Sequence, residues 1–335
     1  MPTTPSLLSR MPGRRPLLAG LVAGTALAML SPFAAAQGGQ WPERAIRVIV
    51  PFPPSGATDL VARVVAQKVS QELGQSLVID NRPGAGGTIG TAEAAKAGAD
   101  GYTLLFTTSS THAISPHLMP KLAYRADKDF TPIAHVADAA SVLLVTNALP
   151  VKTVQELISY AKANPGKLNY ATSGNGTIVH LNTAAFAAQA GITLTHVPYK
   201  GTAQSISDLA TGQVHMLFDS IPTGMPHVAS GRLRALAVTS AERTQLPTVA
   251  ESGLPGYASV TWFGVYAPAG LKPELTARIN AAFNKAVQNP EVVASLAKLG
   301  ADVAKPGTPA QFADLVKADS ARWAKVIQDN HITLE

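Results

Sequence analysis

Two stretches of this 335-residue sequence combine residue types that can hold an anion. The first is VPFPPSGATDL, Val50 to Leu60. There Pro51, Pro53 and Pro54 stiffen the exit from a strand, and Gly56 permits close backbone approach. Thr58 or Asp59 can cap the helix that follows. The second is YATSGNGTIVHL, Tyr170 to Leu181, in which Gly174, Asn175 and Gly176 form the turn after Ser173, and Thr177 can cap the next helix. Each offers unpaired backbone N–H groups at a helix start, joined by Ser and Thr hydroxyls, which is how proteins cradle anions. Neither stretch contains Lys or Arg, and neither carries the P-loop lysine. Neutral donors suit a small carboxylate bound reversibly better than phosphoryl transfer. Each stretch alone also reads as a well-capped strand-to-helix turn; the pair, in separate halves of one chain, favours binding. The Asp59 carboxylate would repel an anion, so it is expected to turn away and cap its helix.

Other chemistries find little in the sequence. VIDNRPGAGGTIG, Val78 to Gly90, resembles a dinucleotide loop, but from Gly84 the third glycine of the fingerprint falls one position late and Ile89 stands in its place. No cofactor is expected. With no cysteine, disulfides, thiolate metal sites and cysteine nucleophiles are excluded. His112 and His117 lie five apart in a proline-containing loop, and His180, His196 and His215 sit beside apolar elements as hydrogen-bonded core residues, so no metal is expected. Ser55, Ser109, Ser110 and Ser173 lack the G-x-S-x-G elbow and show no paired base. Asp219, in MLFDS, ends an apolar strand, where it either orients a polar ligand group or caps local backbone.

Short β-branched runs alternate with helical patterns along most of the chain. AIRVIVPF, SLVIDN, YTLLFTT, SVLLVTN, LNYATS, LTHVPY, VHMLFDS and LRALAVTS read as buried strands, and Thr153 to Ala163 and Ile178 to Gln189 as helices. Alternation of this kind predicts an α/β fold in two lobes, each a mostly parallel sheet flanked by helices. From Pro268 onward the pattern is mainly helical, so this end is expected to pack on an existing lobe.

The first 36 residues read as an export signal, with Arg10, Arg14 and Arg15 ahead of an uncharged apolar run, Leu17 to Leu30, and small residues Ala34 and Ala36 before a cleavage point. An uncleaved anchor is the alternative, and the paired Arg14–Arg15 leaves the export route open. The three arginines leave with the signal, so the formal charge falls from +6 to +3, and the remaining cations are scattered rather than clustered. That argues against a nucleic-acid partner.

Several long segments resemble the Bug-type receptors, the extracytoplasmic solute-binding components of tripartite tricarboxylate transporters. They are WPERAIRVIVPFPPSGATD, VIDNRPGAGGTIGTAEAAKAGADGYTLL, LNYATSGNGTIVHL, HVPYKGTAQSISDLATGQVHMLFDS, GRLRALAVTS and APAGLKPELTARINAAFNKAVQNPEV. The likeness runs in order from Trp41 to the end. It implies a two-lobed Venus-flytrap periplasmic binding fold, with domain 1 as residues 41–141 plus 262–335, domain 2 as 142–261, and a ligand cleft and hinge between them. It also implies that the loops at Pro51–Asp59 (Ser55, Gly56, Ala57 and Thr58) and at Ser173, Gly174, Asn175, Gly176 and Thr177 grip a carboxylate from opposite lobes. By the same resemblance Phe52 and Pro53 line the first wall, Ser109, Ser110 and Thr111 supply hydroxyls, and Tyr199 and Asp219 face the cleft. Where the first loop of the family often has a second glycine, this chain has Ser55, which leaves substrate identity open. The implied protein is a non-enzymatic, monomeric periplasmic receptor. It would pass a small organic carboxylate to transporter subunits or a sensor. A hydrolase or cofactor enzyme on a similar scaffold is the alternative from another class, and a phosphate or nucleotide binder a third.

Overall fold

The computed structural model describes residues 41–334; the proposed export signal and its cleavage point lie outside them. The first wing is a parallel set, β1 (Ile46–Val50) flanked by β2 (Leu77–Asn81) and β3 (Thr103–Thr108). The 17-residue α1 (Ala57–Leu73) covers it, because Val61, Ala62, Val65, Ala66, Val69 and Leu73 form one apolar stripe. It stops at Gly74, whose φ of 72° is the left-handed end that glycine tolerates best; the shorter α2 (Thr88–Ala95) and α3 (Ser115–Leu118) follow β2 and β3.

The second wing repeats the arrangement with β5 (Asn169–Thr172), β6 (Thr195–Pro198) and β7 (Met216–Ser220), parallel to one another. Around them lie α4 (Val154–Ala163), α5 (Ile178–Ala190), α6 (Thr202–Thr211) and α7 (Ile221–Ala229). β7 is buried throughout and β5 nearly so, as parallel strands covered on both faces must be, while β6 at the sheet edge exposes Thr195 and Pro198.

Two long strands join the wings. β4 (Phe130–Thr146) pairs antiparallel with β9 (Val260–Pro268) up to Ala140, then from Ser141 onward with β7 on one side and β8 (Leu233–Val238) on the other. The expected parallel strands form the wings; the sheet as a whole is mixed, because β9 runs against the first wing and β4 against the second. The fold class is α/β, as expected. SVLLVTN is only the last part of β4. The stretch Phe130–Ala140 contains Pro132 and interrupts its apolar alternation, and the β4–β9 register slips on either side of Ala134.

The carboxyl-terminal helices pack as expected on the first wing. α8 (Pro273–Val287) lies on β4 and α1, and α9 (Pro290–Lys298) lies against α1. The two-residue β10 (Asp302–Val303) adds to the β4 edge. α10 (Pro309–Asp329) begins with a reciprocal cap between Thr308 and Gln311 and buries Phe312 and Trp323. Phe312 sits so close over Gly264 that a Cβ there would lie 2.1 Å from its ring, so β9 needs glycine at that point. Among the described residues no helix is long and apolar enough to cross a membrane.

Candidate functional site

Between the wings is a cavity of about 490 Å³. The start of α1 reaches it through Gly56, Ala57 and Thr58, the start of α5 through Ile178 and Val179, the start of α6 through Gly201 to Gln204, and the start of α7 through Ser220, Pro222 and Thr223. α1, α6 and α7 carry no side-chain cap, so their first N–H groups are left to whatever occupies the cavity. Four positive helix ends on one space of this size favour an anionic guest. Phe52, Pro53, Pro226 and Phe263 supply apolar wall, and Lys200 and His227 are its basic groups. Asp219 is the one acid among the lining residues.

The first loop is held from behind. Asp59 is buried and does not line the cavity. Its carboxylate accepts the Ser55 N–H (2.9 Å), the Arg63 guanidinium and the Asn81 amide, which also donates to the Phe52 carbonyl. Asp59 thus turns away as expected but braces the loop rather than capping α1, whose N-cap is Gly56. Burial pushes this carboxyl up, and the bonds from Arg63, Ser55 and Asn81 more than offset it, leaving it below the ordinary carboxylate range. The brace holds Ser55 at φ 63°, a left-handed conformation that costs a serine about 1–2 kcal/mol and a glycine almost nothing. A glycine at this position would make the same turn at lower cost.

The second loop is shaped as the sequence suggests. Thr177 accepts the His180 N–H as the cap of α5 and donates to the Gly174 carbonyl (2.8 Å). His180 Nδ1 accepts the Gly176 N–H, and the His180 ring stacks on that of His196 at 4.4 Å between centroids. Burial, then the neighbouring His196, push the His180 imidazole down to about 4, so it is a neutral brace at neutral pH. His215 Nδ1 accepts the Asn169 N–H, in keeping with a structural histidine. Among the described residues no group of three or more His, Asp or Glu side chains could hold a metal.

Phe52, Pro53, Ser55, Gly56, Ala57, Thr58, Ser110, Ser173 and Asp219 all line the cavity. Ser109, Thr111, Gly174, Asn175, Gly176, Thr177 and Tyr199 do not. Thr111 is engaged with Thr107 and His112, and Ser109 is fully buried. The Tyr199 hydroxyl donates to Asp208 (2.7 Å), which turns it from the cavity. Burial, then Asp208, raise its pKa to about 12.

Gly174 and Asn175 instead form a seam between the wings. Cβ atoms added at Gly86 and Gly174 would meet the Asn175 carbonyl oxygen at 2.5 Å and the Gly86 Cα at 3.6 Å respectively. At Gly201 an added Cβ would lie 2.8 Å from Pro53, and the Ile178 N–H donates to the Ser110 hydroxyl across the same seam. The glycines of GAGGTIG therefore serve close approach: Gly86 meets the opposite loop, and Gly87 fits beneath Phe52 and Thr111. The sequence reading missed the α6 and α7 helix ends and Lys200. Their signal was present, in KGTAQ and in the proline directly after Ser220–Ile221, both typical of helix starts.

The sequence profile described as the tripartite tricarboxylate transporter family receptor matches residues 61–332. The chain belongs to this receptor family. It is 41% identical to the UPF0065 protein in the tcbD-tcbE intergenic region of Pseudomonas sp. (strain P51), covering 94% of each chain. To the protein BugT of Bordetella pertussis it is 38% identical, over 88% of this chain and 92% of BugT. Among solved structures, R. palustris Rpa4515 with adipate matches with TM-score 0.85 at 39% identity, covering 88% of this chain and 99% of that one. MatC from Rhodopseudomonas palustris with bound malate matches with TM-score 0.82 at 35% identity, covering 85% and 99%. The expected Bug-type receptor and periplasmic binding fold are thus borne out. Nothing in these relatives favours the hydrolase or cofactor-enzyme alternative.

Proposed function

We propose that this receptor captures a small organic carboxylate in the cavity between its wings and presents it to the membrane subunits of a tripartite tricarboxylate transporter, or to a sensor, in the periplasm. The observation that carries the reading is the meeting of four helix N-termini, three of them uncapped, on one cavity of about 490 Å³. Relatives of 35% and 39% identity hold malate and adipate, acids of a size such a space accommodates. Direct contacts come from the lining set, Phe52, Pro53, Ser55 to Thr58, Ser110, Ser173 and Asp219, with Lys200 and the starts of α6 and α7 added. Gly174 to Thr177, Thr111 and Tyr199 position that set.

The domains are residues 41–141 plus 262–335 and 142–261, and the hinge lies where β4 changes partners, between Ala140 and Ser141. A guest touching both wings is bound fully only when they are together, so binding shifts the population toward the closed form. The receptor acts as an exported monomer without catalysis: the Ser110 hydroxyl accepts the Ile178 N–H, that of Ser173 donates to Thr177, and among the described residues neither is hydrogen-bonded to a base. A thermal-shift screen of the protein against mono-, di- and tricarboxylates tests this. An acid at 100 times its Kd stabilises by about 2.7 kcal/mol, seen as a raised Tm. Silence across all acids with a response to nucleotides or phosphate would overturn the reading.

A further inference from the structure

Asp219 is an acid in a cavity otherwise furnished for anions. It is the penultimate residue of β7, opposite Val142 of β4, is 1% exposed, and lines the cavity. Its Oδ2 accepts the Thr223 hydroxyl at 2.6 Å, while Oδ1 has no partner in the protein. An ionised carboxylate buried this way would lack both a counter-charge and most of its hydrogen bonds. Because Oδ2 receives a donor, Oδ1 is the oxygen on which a proton is best placed.

We propose that Asp219 acts as a neutral carboxylic acid that donates its Oδ1 proton to an acceptor of the bound anion, so that ligand capture is coupled to proton uptake. This rests on the carboxylate reading above and narrows it. The guests favoured are acids with a second acceptor, a distal carboxylate or carbonyl, over amino acids, whose ammonium would call for an ionised Asp219.

The surroundings support it. Burial raises the Asp219 carboxyl to about 7, against smaller opposing effects of Thr223 and the Ser220 backbone. The titratable and charged groups on the elements around it are His227 on α7, Lys200 before α6 and Asp208 on it, His180 on α5, Tyr170 on β5, His215 before β7, His135 and Asp138 on β4, and Arg234 on β8. Among the described residues none of them forms an ion pair with Asp219; Arg234 donates to the Leu149 and Val151 carbonyls. An anion arriving beside Asp219 disfavours its charged form further. The balance is simple: above the Asp219 pKa, the carboxylate takes one proton from solvent as one anion binds, and no covalent bond changes.

Isothermal titration with adipate, malate, benzoate and aspartate, at pH 6.5 and 8.0 in buffers of differing ionisation enthalpy, tests this. With a pKa of about 7, the acid that binds does so about eightfold more weakly at pH 8.0 than at pH 6.5, and takes up close to one proton at the higher pH. Asp219→Asn keeps an N–H donor and binds alike at both pH values. Thr223→Val removes the Oδ2 donor and moves the midpoint of the wild-type pH dependence upward. Wild-type affinity that is flat or rises with pH, a preference for aspartate, or a folded Asp219→Asn protein that no longer binds would each overturn the proposal. Failure of every acid to bind at any pH strikes the carboxylate reading itself and takes this one with it.

Discussion

The residues that matter most for the cavity are split between those facing it and those holding it from behind. Asp59 belongs to the second kind, tying Ser55, Arg63 and Asn81 into one brace. Asp59→Ala leaves buried donors without an acceptor and is expected to cost roughly 1–3 kcal/mol in urea unfolding, with weakened ligand affinity as a consequence. A variant as stable as the wild type that binds no acid would place Asp59 on the ligand instead. Its carboxyl is held below the ordinary range in the folded chain, so its contribution is present above the unfolded pKa of 3.8 and fades as pH falls through the folded value. Asp219 has the opposite sign. Its folded pKa, about 7, lies above the unfolded one, so the stability it contributes is whole below pH 3.8 and is lost as pH rises toward 7. Asp219→Asn should accordingly stabilise the ligand-free protein at pH 8, by at most about 4 kcal/mol in a denaturant titration. No gain at pH 8 would mean that the buried carboxyl is not strained by ionisation.

At the scale of elements, the strands and helices of the wings were legible in the sequence because their apolar runs are short, continuous and bounded by turn residues. β4 was legible only from Ser141, since the proline and polar residues of Phe130–Ala140 hide a strand whose pairing slips twice. The two loops at Ser55 and Gly174 could be found from glycine, proline and hydroxyl residues. Whether their side chains reach the cavity could not, because that depends on partners distant in sequence: Asp208 claims Tyr199, and Thr107 claims Thr111. The glycine cluster was legible as a non-cofactor turn, but its purpose needs the opposite wing. Gly86 has φ 65° and meets Asn175 of the other loop. Gly86→Ala is expected to hold the wings apart, weakening ligand affinity and reducing the compaction seen by small-angle scattering on ligand addition. Unchanged compaction and affinity would show that this seam plays no part in closure.

At the scale of the whole molecule, the sequence resemblance supplied the family, and the geometry supplies a reason for the architecture. Parallel wings put strand ends and helix starts on one side of each sheet, which is where ligands of open α/β sheets bind. Two such wings joined by β4 and β9 bring helix starts from both onto a single cavity, so neither wing holds the complete site. The most direct test of the account is a crystal structure of the protein with the acid that most raises its Tm. The account predicts a carboxylate within hydrogen-bond distance of backbone N–H groups at the start of α1 and, from the other wing, at the start of α5, α6 or α7. An acid bound to one wing alone, or in any cavity other than this one, would contradict it.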